Sequence, residues 1–196
     1  MRGFLIACVS VVRKRFSLFV VLNWLFFGSI VTGALLGQMG HYEVYRSVFV
    51  EDVLITERSN VMLMVVSIFV SNLLLSSFLL VTLTGLAFPI LPIGFLMLRG
   101  LLWGVLHNTL PTSLFLIAFP TLILEGEGYV LAGVAGVYLG LSWLNPRWAY
   151  KEENLSRADA LKKALKDAMY IYVLVVVFLL AAAIVEAAII SPTISH

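Results

Sequence analysis

Charged side chains are scarce in this chain, at 12% of 196 residues, against 61% hydrophobic. Soluble domains carry about 25% charged and roughly 45–50% apolar residues. A chain this short cannot bury such a surplus in one core. A soluble globular domain is therefore excluded, and lipid is the solvent that fits. Cysteine is nearly absent: Cys8 stands alone, which rules out an intrachain disulfide and a thiolate metal centre and leaves it as a small apolar filler. Histidine is confined to His41, His107 and His196, with no second His or Cys at ligand spacing. A P-loop, a zinc motif, a nucleophile elbow and a paired-carboxylate constellation are also missing. No catalytic residue, metal or cofactor is expected, and no enzyme. The net charge of +2 is too small to point to nucleic acid.

Long apolar runs fill the rest. Residues 1–15 end in Arg13-Lys14-Arg15, where a cleavable signal peptide would carry small residues; they read as a cytoplasmic amphipathic lead-in. Residues 16–192 read as a single transmembrane domain. Its first span covers 16–38, with Gly28, Ser29, Gly33, Ala34 and Gly37 permitting close approach of another helix. A polar stretch at 39–60 follows, then an apolar run over 61–88 with Asn72 near its middle, and a third span over 93–106 after Pro89 and Pro92.

Residues 110–144 are too many for one straight span and short for two. Pro111, Pro120, Gly126 and Gly128 predict a broken or re-entrant element there, making one net crossing. The polar 147–168 region predicts a cytoplasmic amphipathic helix, with Ser156 and Asp159 in a capping box and Asp159, Lys163 and Asp167 at i,i+4 spacing. It leads into a last span over 169–190 and would serve as a docking surface. Lys and Arg crowd the N-terminus and 147–168, whereas 39–60 has only Arg46 and Arg58 in a net acidic stretch. By the positive-inside rule this predicts an all-α membrane protein with about five net crossings, the N-terminus cytoplasmic, and 39–60 and the C-terminus extracytoplasmic.

Four ionisable residues interrupt the apolar runs: Arg99, Glu125, Glu127 and Glu186. A charge at the bilayer centre costs at least ~2.5–3.5 kcal/mol, so it faces the bundle interior and finds a partner. Arg99, Glu125, Glu186 and the mid-span amide Asn72 are the candidate polar cluster. Glu127 is excluded from it, because the flanking glycines are expected to turn it toward a surface. Ala132, Gly133, Gly136 and Gly140 form a small-residue face for helix packing, in the same chain or against a second copy.

Two stretches carry a resemblance. Pro120-Thr121-Leu122-Ile123-Leu124-Glu125, followed by Ala132-Gly133-Val134-Ala135-Gly136, resembles the Pro-His-Gly-x-x-Glu stretch and Ala-Gly-x-Ala-Gly helix of the stage II sporulation protein M family. Thr121-Leu122 stands in place of His-Gly. The last span, Ala-rich with Glu186 and a following Pro192, is similar to the family's closing helix, and Asn72 lies where the family commonly has Asn. The resemblance implies a five-span protein, and for its sporulation members a part in assembling a peptidoglycan-remodelling complex. The reading that follows is a non-catalytic scaffold or assembly subunit, whose partners are the lipid bilayer and other membrane or cytoplasmic proteins, or a second copy of itself. The alternative is a transporter or channel-like permease using Glu125, Glu186 and Arg99 around a polar cavity.

Overall fold

The computed structural model describes residues 2–38, 61–107, 112–150 and 153–190. The 39–60 stretch, His41, Asn108, Pro111, Lys151 and the 191–196 tail lie outside the described residues. What is described is helical: α1 (Arg2–Arg13), α2 (Phe16–Gln38), α3 (Val61–Ala87), α4 (Leu91–His107), α5 (Thr112–Leu144), the short α6 (Pro146–Ala149) and α7 (Arg157–Ile190). Parts of α2, α3, α5 and α7 are long and apolar enough to cross a membrane, and α4 is a shorter apolar helix. This is an all-α membrane protein.

Burial sorts the helices. In the apolar stretch of α5, 78% of residues are buried, against 22%, 22% and 28% for α2, α3 and α7. The α5 helix is therefore the central post, and the others turn one face to it and an apolar face outward. Trp24, Val31, Leu74, Phe78 and Val177 are among the outward side chains, as a lipid solvent permits. Contacts give the directions. Gly100 and Gly104 of α4 meet Phe26 and Ile30 of α2 in rising order, so these helices are parallel. Thr82 and Gly85 of α3 likewise meet Ala132 and Gly136 of α5. By contrast, Gly126 and Gly133 of α5 face Phe26 and Leu22 of α2 in reverse order. Gly128 and Ala132 of α5 lie by Leu179 and, through Thr82, Tyr172 of α7, again in reverse order, so α2, α4 and α7 run one way and α3 and α5 the other.

Glycines set the distances. A Cβ on Gly33 would lie 2.1 Å from the Leu101 carbonyl oxygen, and one on Gly104 would lie 2.0 Å from that of Ile30. The α2–α4 seam is thus backbone against backbone. Between α3 and α5 the same holds at Gly85, Gly136 and Gly140. Gly133 instead receives the Leu96 side chain of α4. The small-residue face of α5 therefore packs within the chain.

The expected break in 110–144 does not occur among the described residues: α5 is one helix of 33 residues running through Pro120. Proline is tolerated in a spanning helix because neighbours can re-satisfy the freed backbone. Gly126 and Gly128 form no turn. They are flat spots, receiving Phe26 of α2 and Leu179 of α7. At ~1.5 Å per residue the helix is about 50 Å long and exceeds a ~30 Å hydrocarbon core, which accounts for its length without a break.

Irregularity appears in α3 instead. Ser71–Leu83 is wound as a π-helix. Its inward residues, Asn72, Ser76-Ser77, Val81-Thr82 and then Gly85, recur every four to five positions. That spacing drifts around an α-helix, but i→i+5 hydrogen bonding keeps it on one face. The winding holds a polar stripe against α5.

In the 147–168 region Ser156 caps the helix: the Asp159 amide donates to Ser156 Oγ at 3.2 Å, while that hydroxyl donates to the Asp159 carboxylate, which replaces the reciprocal half of the capping box. The i,i+4 pairs do not. Lys163 pairs with Glu153, and Asp167 with Arg15, because the chain before α7 folds back beside Lys163 and Asp167 sits on the face turned toward the start of α2.

Candidate functional site

Four helices deliver polar side chains to the middle of the bundle. On α5, Thr121, Glu125 and Tyr129 are one turn apart and all buried. The π-wound stripe of α3 supplies Asn72 and Ser76 opposite them. Asn72 Nδ2 donates to Glu125 Oε1. One turn further along α5, Arg99 of α4 donates through Nη2 to Tyr129 Oη at 2.6 Å and through Nη1 to Ser76 Oγ at 3.2 Å. Its guanidinium lies 4.2 Å from the Tyr129 ring centroid and 5.1 Å from that of Trp103, in the range of cation–π attraction. Glu186 of α7 is half-buried and within Coulombic range of both Glu125 and Arg99. The structure thus brings Arg99, Glu125, Glu186 and Asn72 into one neighbourhood.

Convergence does not bring a direct ion pair among the described residues: Arg99 touches neither carboxylate. The reason is register. At the level of Arg99, α5 presents Tyr129 rather than Glu125, and α3 presents Ser76, so a hydroxyl pair and two ring faces take the guanidinium. Glu127 sits half-buried across from Asn23 of α2, away from this cluster. Sequence reasoning missed Tyr129 and Ser76. Their signal was present as the i,i+4 partner of Glu125 and as a polar step in the π-spaced stripe.

Two further polar joints tie the helices. Tyr172 of α7 donates to Thr82 of α3 at 2.7 Å, and Thr82 donates to the Ala132 carbonyl of α5 at 3.0 Å. Trp143 Nε1 caps the Leu86 carbonyl at 2.6 Å, one of the orphan acceptors at the end of α3.

A second charged node sits at the end where α2 and α7 begin. Arg15 is buried, pairs with Asp167 and donates to the Val11 carbonyl at 3.2 Å and to Tyr150 Oη at 3.3 Å. Tyr150 donates to Asp167 at 3.0 Å, and Tyr138 lies beneath the guanidinium at 4.2 Å. Burial, with the Asp167 carboxylate beside it, pushes the Tyr150 phenol above its ordinary range, so it stays a donor. The node clamps the α1–α2 junction to α7 and to the chain after α6. Sequence reading had Arg15 only as part of a basic run.

A sequence model of the family described as Stage II sporulation protein M matches residues 17–192. The chain belongs to that family. No curated protein and no solved structure matches it. The matched stretch takes in α2 to α7, so both polar nodes are built largely from it. Thr121 is buried on the Glu125 face of α5.

Proposed function

We propose that this stage II sporulation protein M family member is a non-catalytic membrane scaffold, an assembly subunit that holds other membrane or cytoplasmic proteins, or a second copy of itself, at the bilayer. The observation that carries the reading is the burial of the α5 side of the central cluster. Glu125 is 5% exposed and Tyr129 0%, and the contacts they make are with Asn72 and Arg99 of neighbouring helices. Groups sealed by packing and spent on one another fix helix register; a permeation path needs such groups to face water. The alternation of α2, α4 and α7 with α3 and α5 supports five crossings, and the basic residues at the end where α2 and α7 begin support a cytoplasmic N-terminus and an extracytoplasmic C-terminus.

The test is a pair of measurements on the same preparation. Mild extraction from native membranes should yield the chain with a stoichiometric partner or as a defined homo-oligomer, and Glu125→Gln should keep that assembly. Purified chain in proteoliposomes should pass neither protons nor Na⁺ or K⁺ above the level of empty vesicles. A flux that Glu125→Gln abolishes would overturn the scaffold in favour of a permease.

A further inference from the structure

One face of α7 changes character along its length without changing direction. Val177, Leu180 and Ile184 are exposed, on the outside of a helix that is apolar enough to span a bilayer. Continuing toward the N-terminus at the same helical spacing, the face carries Met169, then Lys166, Leu165 and Lys162. Residues three, four and seven apart share a helix face. The opposite side, Ala160, Ala164, Ala168 and Ile171, is buried in the bundle. The stripe that meets acyl chains in the span is therefore the stripe that presents lysines at its end.

The surroundings of that end are basic and partly apolar. Arg13, Lys14, Arg147, Arg157, Lys162 and Lys166 are exposed and make no ion pair among the described residues. Of the carboxylates at this end among the described residues, Asp167 is taken up by Arg15 and Glu153 by Lys163, while the exposed Asp159 is held by Ser156, so the cations outnumber the free carboxylate. Among these cations stand Trp148, 68% exposed, and Met169, 74% exposed. On α1, Cys8 and Val11 are buried while Ile6 and Val9 are exposed, so that helix also offers an apolar face at this end. Cations interleaved with exposed Trp and aliphatic side chains are the pattern of a surface at the headgroup level, where rings and alkyl stems enter the bilayer and charges stay in the polar layer.

We propose that this rim is a binding surface for anionic phospholipid headgroups, centred on Lys162, Lys166 and Arg157 of α7 and extended by Arg147-Trp148 and by Arg13-Lys14. The continuity of the α7 face with the lipid-facing face decides between a lipid and a soluble acidic partner. A protein docked from the aqueous side would not need Met169 and Leu165 on the same stripe. The buried Arg15–Asp167–Tyr150 node holds the three basic segments together, so the rim is a property of the folded bundle.

The experiment uses the full chain in neutral detergent, titrated with phosphatidylglycerol or with phosphatidylcholine of the same acyl chains, and reads thermal stabilisation and bound lipid by native mass spectrometry. Phosphatidylglycerol should bind at least about tenfold tighter, as juxtamembrane Lys and Arg imply. The preference should vanish at about 1 M salt, where the Debye length falls to about 3 Å. Combining Arg157→Gln, Lys162→Gln and Lys166→Gln should remove most of it. If that variant does not fold, the double variant Lys162→Gln, Lys166→Gln should lower it by a measurable part. Equal binding of the two lipids, or a preference unchanged in the double variant, overturns the proposal. Equal stabilisation by soluble glycerol phosphate overturns it as well, since the ligand would then be a free phosphate ester.

Discussion

Arg99 and Arg15 solve the same problem at two depths. A guanidinium withdrawn from water needs partners for its fork, and each finds an aromatic ring and a tyrosine hydroxyl close by. They differ in their counter-charge. Arg15 has Asp167 in contact; Arg99 has Glu125 and Glu186 only at Coulombic range. Asp167→Ala should therefore be costly, about 3 kcal/mol, because it leaves a buried cation without its anion, whereas Tyr150→Phe should cost about 1 kcal/mol for one shared hydroxyl. Denaturation of the purified variants in detergent measures both, and equal effects would mean that the Arg15 charge is solvated. At the central cluster, Glu125→Gln should be near neutral, since the amide keeps an acceptor for Asn72 Nδ2 and removes a buried charge. Arg99→Leu should destabilise strongly by stripping Tyr129 and Ser76 of their partner. A Glu125→Gln variant as damaged as Arg99→Leu would show that the carboxylate itself is needed. The candidate residues were legible in the sequence because a charge in an apolar run announces itself. Tyr129 and Ser76 were not, because a tyrosine or serine in a membrane helix carries no such mark.

Helix contacts in this bundle are decided by missing side chains. The α2–α4 seam rests on Gly33, Gly100 and Gly104, and the α3–α5 seam on Gly85, Gly136 and Gly140. Gly104→Leu should force α2 and α4 apart, because the new side chain would meet the Ile30 carbonyl and the Ala34 amide within 3 Å. Gly94→Leu on the same helix, with nothing within 4 Å of its Cβ position, should be tolerated. A melting-temperature series on the two variants separates a packing effect from a loss of helix flexibility, which would affect both alike. Gly136→Leu should behave as Gly104→Leu does. The sequence pattern marked Gly136 and Gly140, but glycine count alone could not tell a packing glycine from a breaking one. Gly126 and Gly128 look like a turn on paper and are contact surfaces in the bundle. The irregular backbone lies instead in α3, where no proline or glycine marks Ser71–Leu83. The signal there was the four-to-five-residue spacing of its polar side chains.

At the scale of the molecule, alternating helix directions and the basic end around Arg15 argue for one orientation across the bilayer. Single cysteines introduced at Ser47 and Ser156, in a Cys8→Ser background, should label from opposite sides: the first from outside intact cells, the second only after permeabilisation. Labelling of both from one side would refute five crossings. Composition by itself determined that this is a membrane-embedded helical protein, because apolar surplus has nowhere else to go, and the positions of its interior charges determined which residues must find partners. Tertiary structure decided who those partners are. Arg15 and Asp167 are 152 residues apart, and Arg99 met Tyr129 rather than Glu125 because helix register, set by glycine contacts and a π-wound α3, fixes which turn of one helix faces which turn of the next. Lipid gives no hydrophobic preference among helix faces, so the choice fell to close packing and hydrogen bonds, and these exist only once the bundle is assembled.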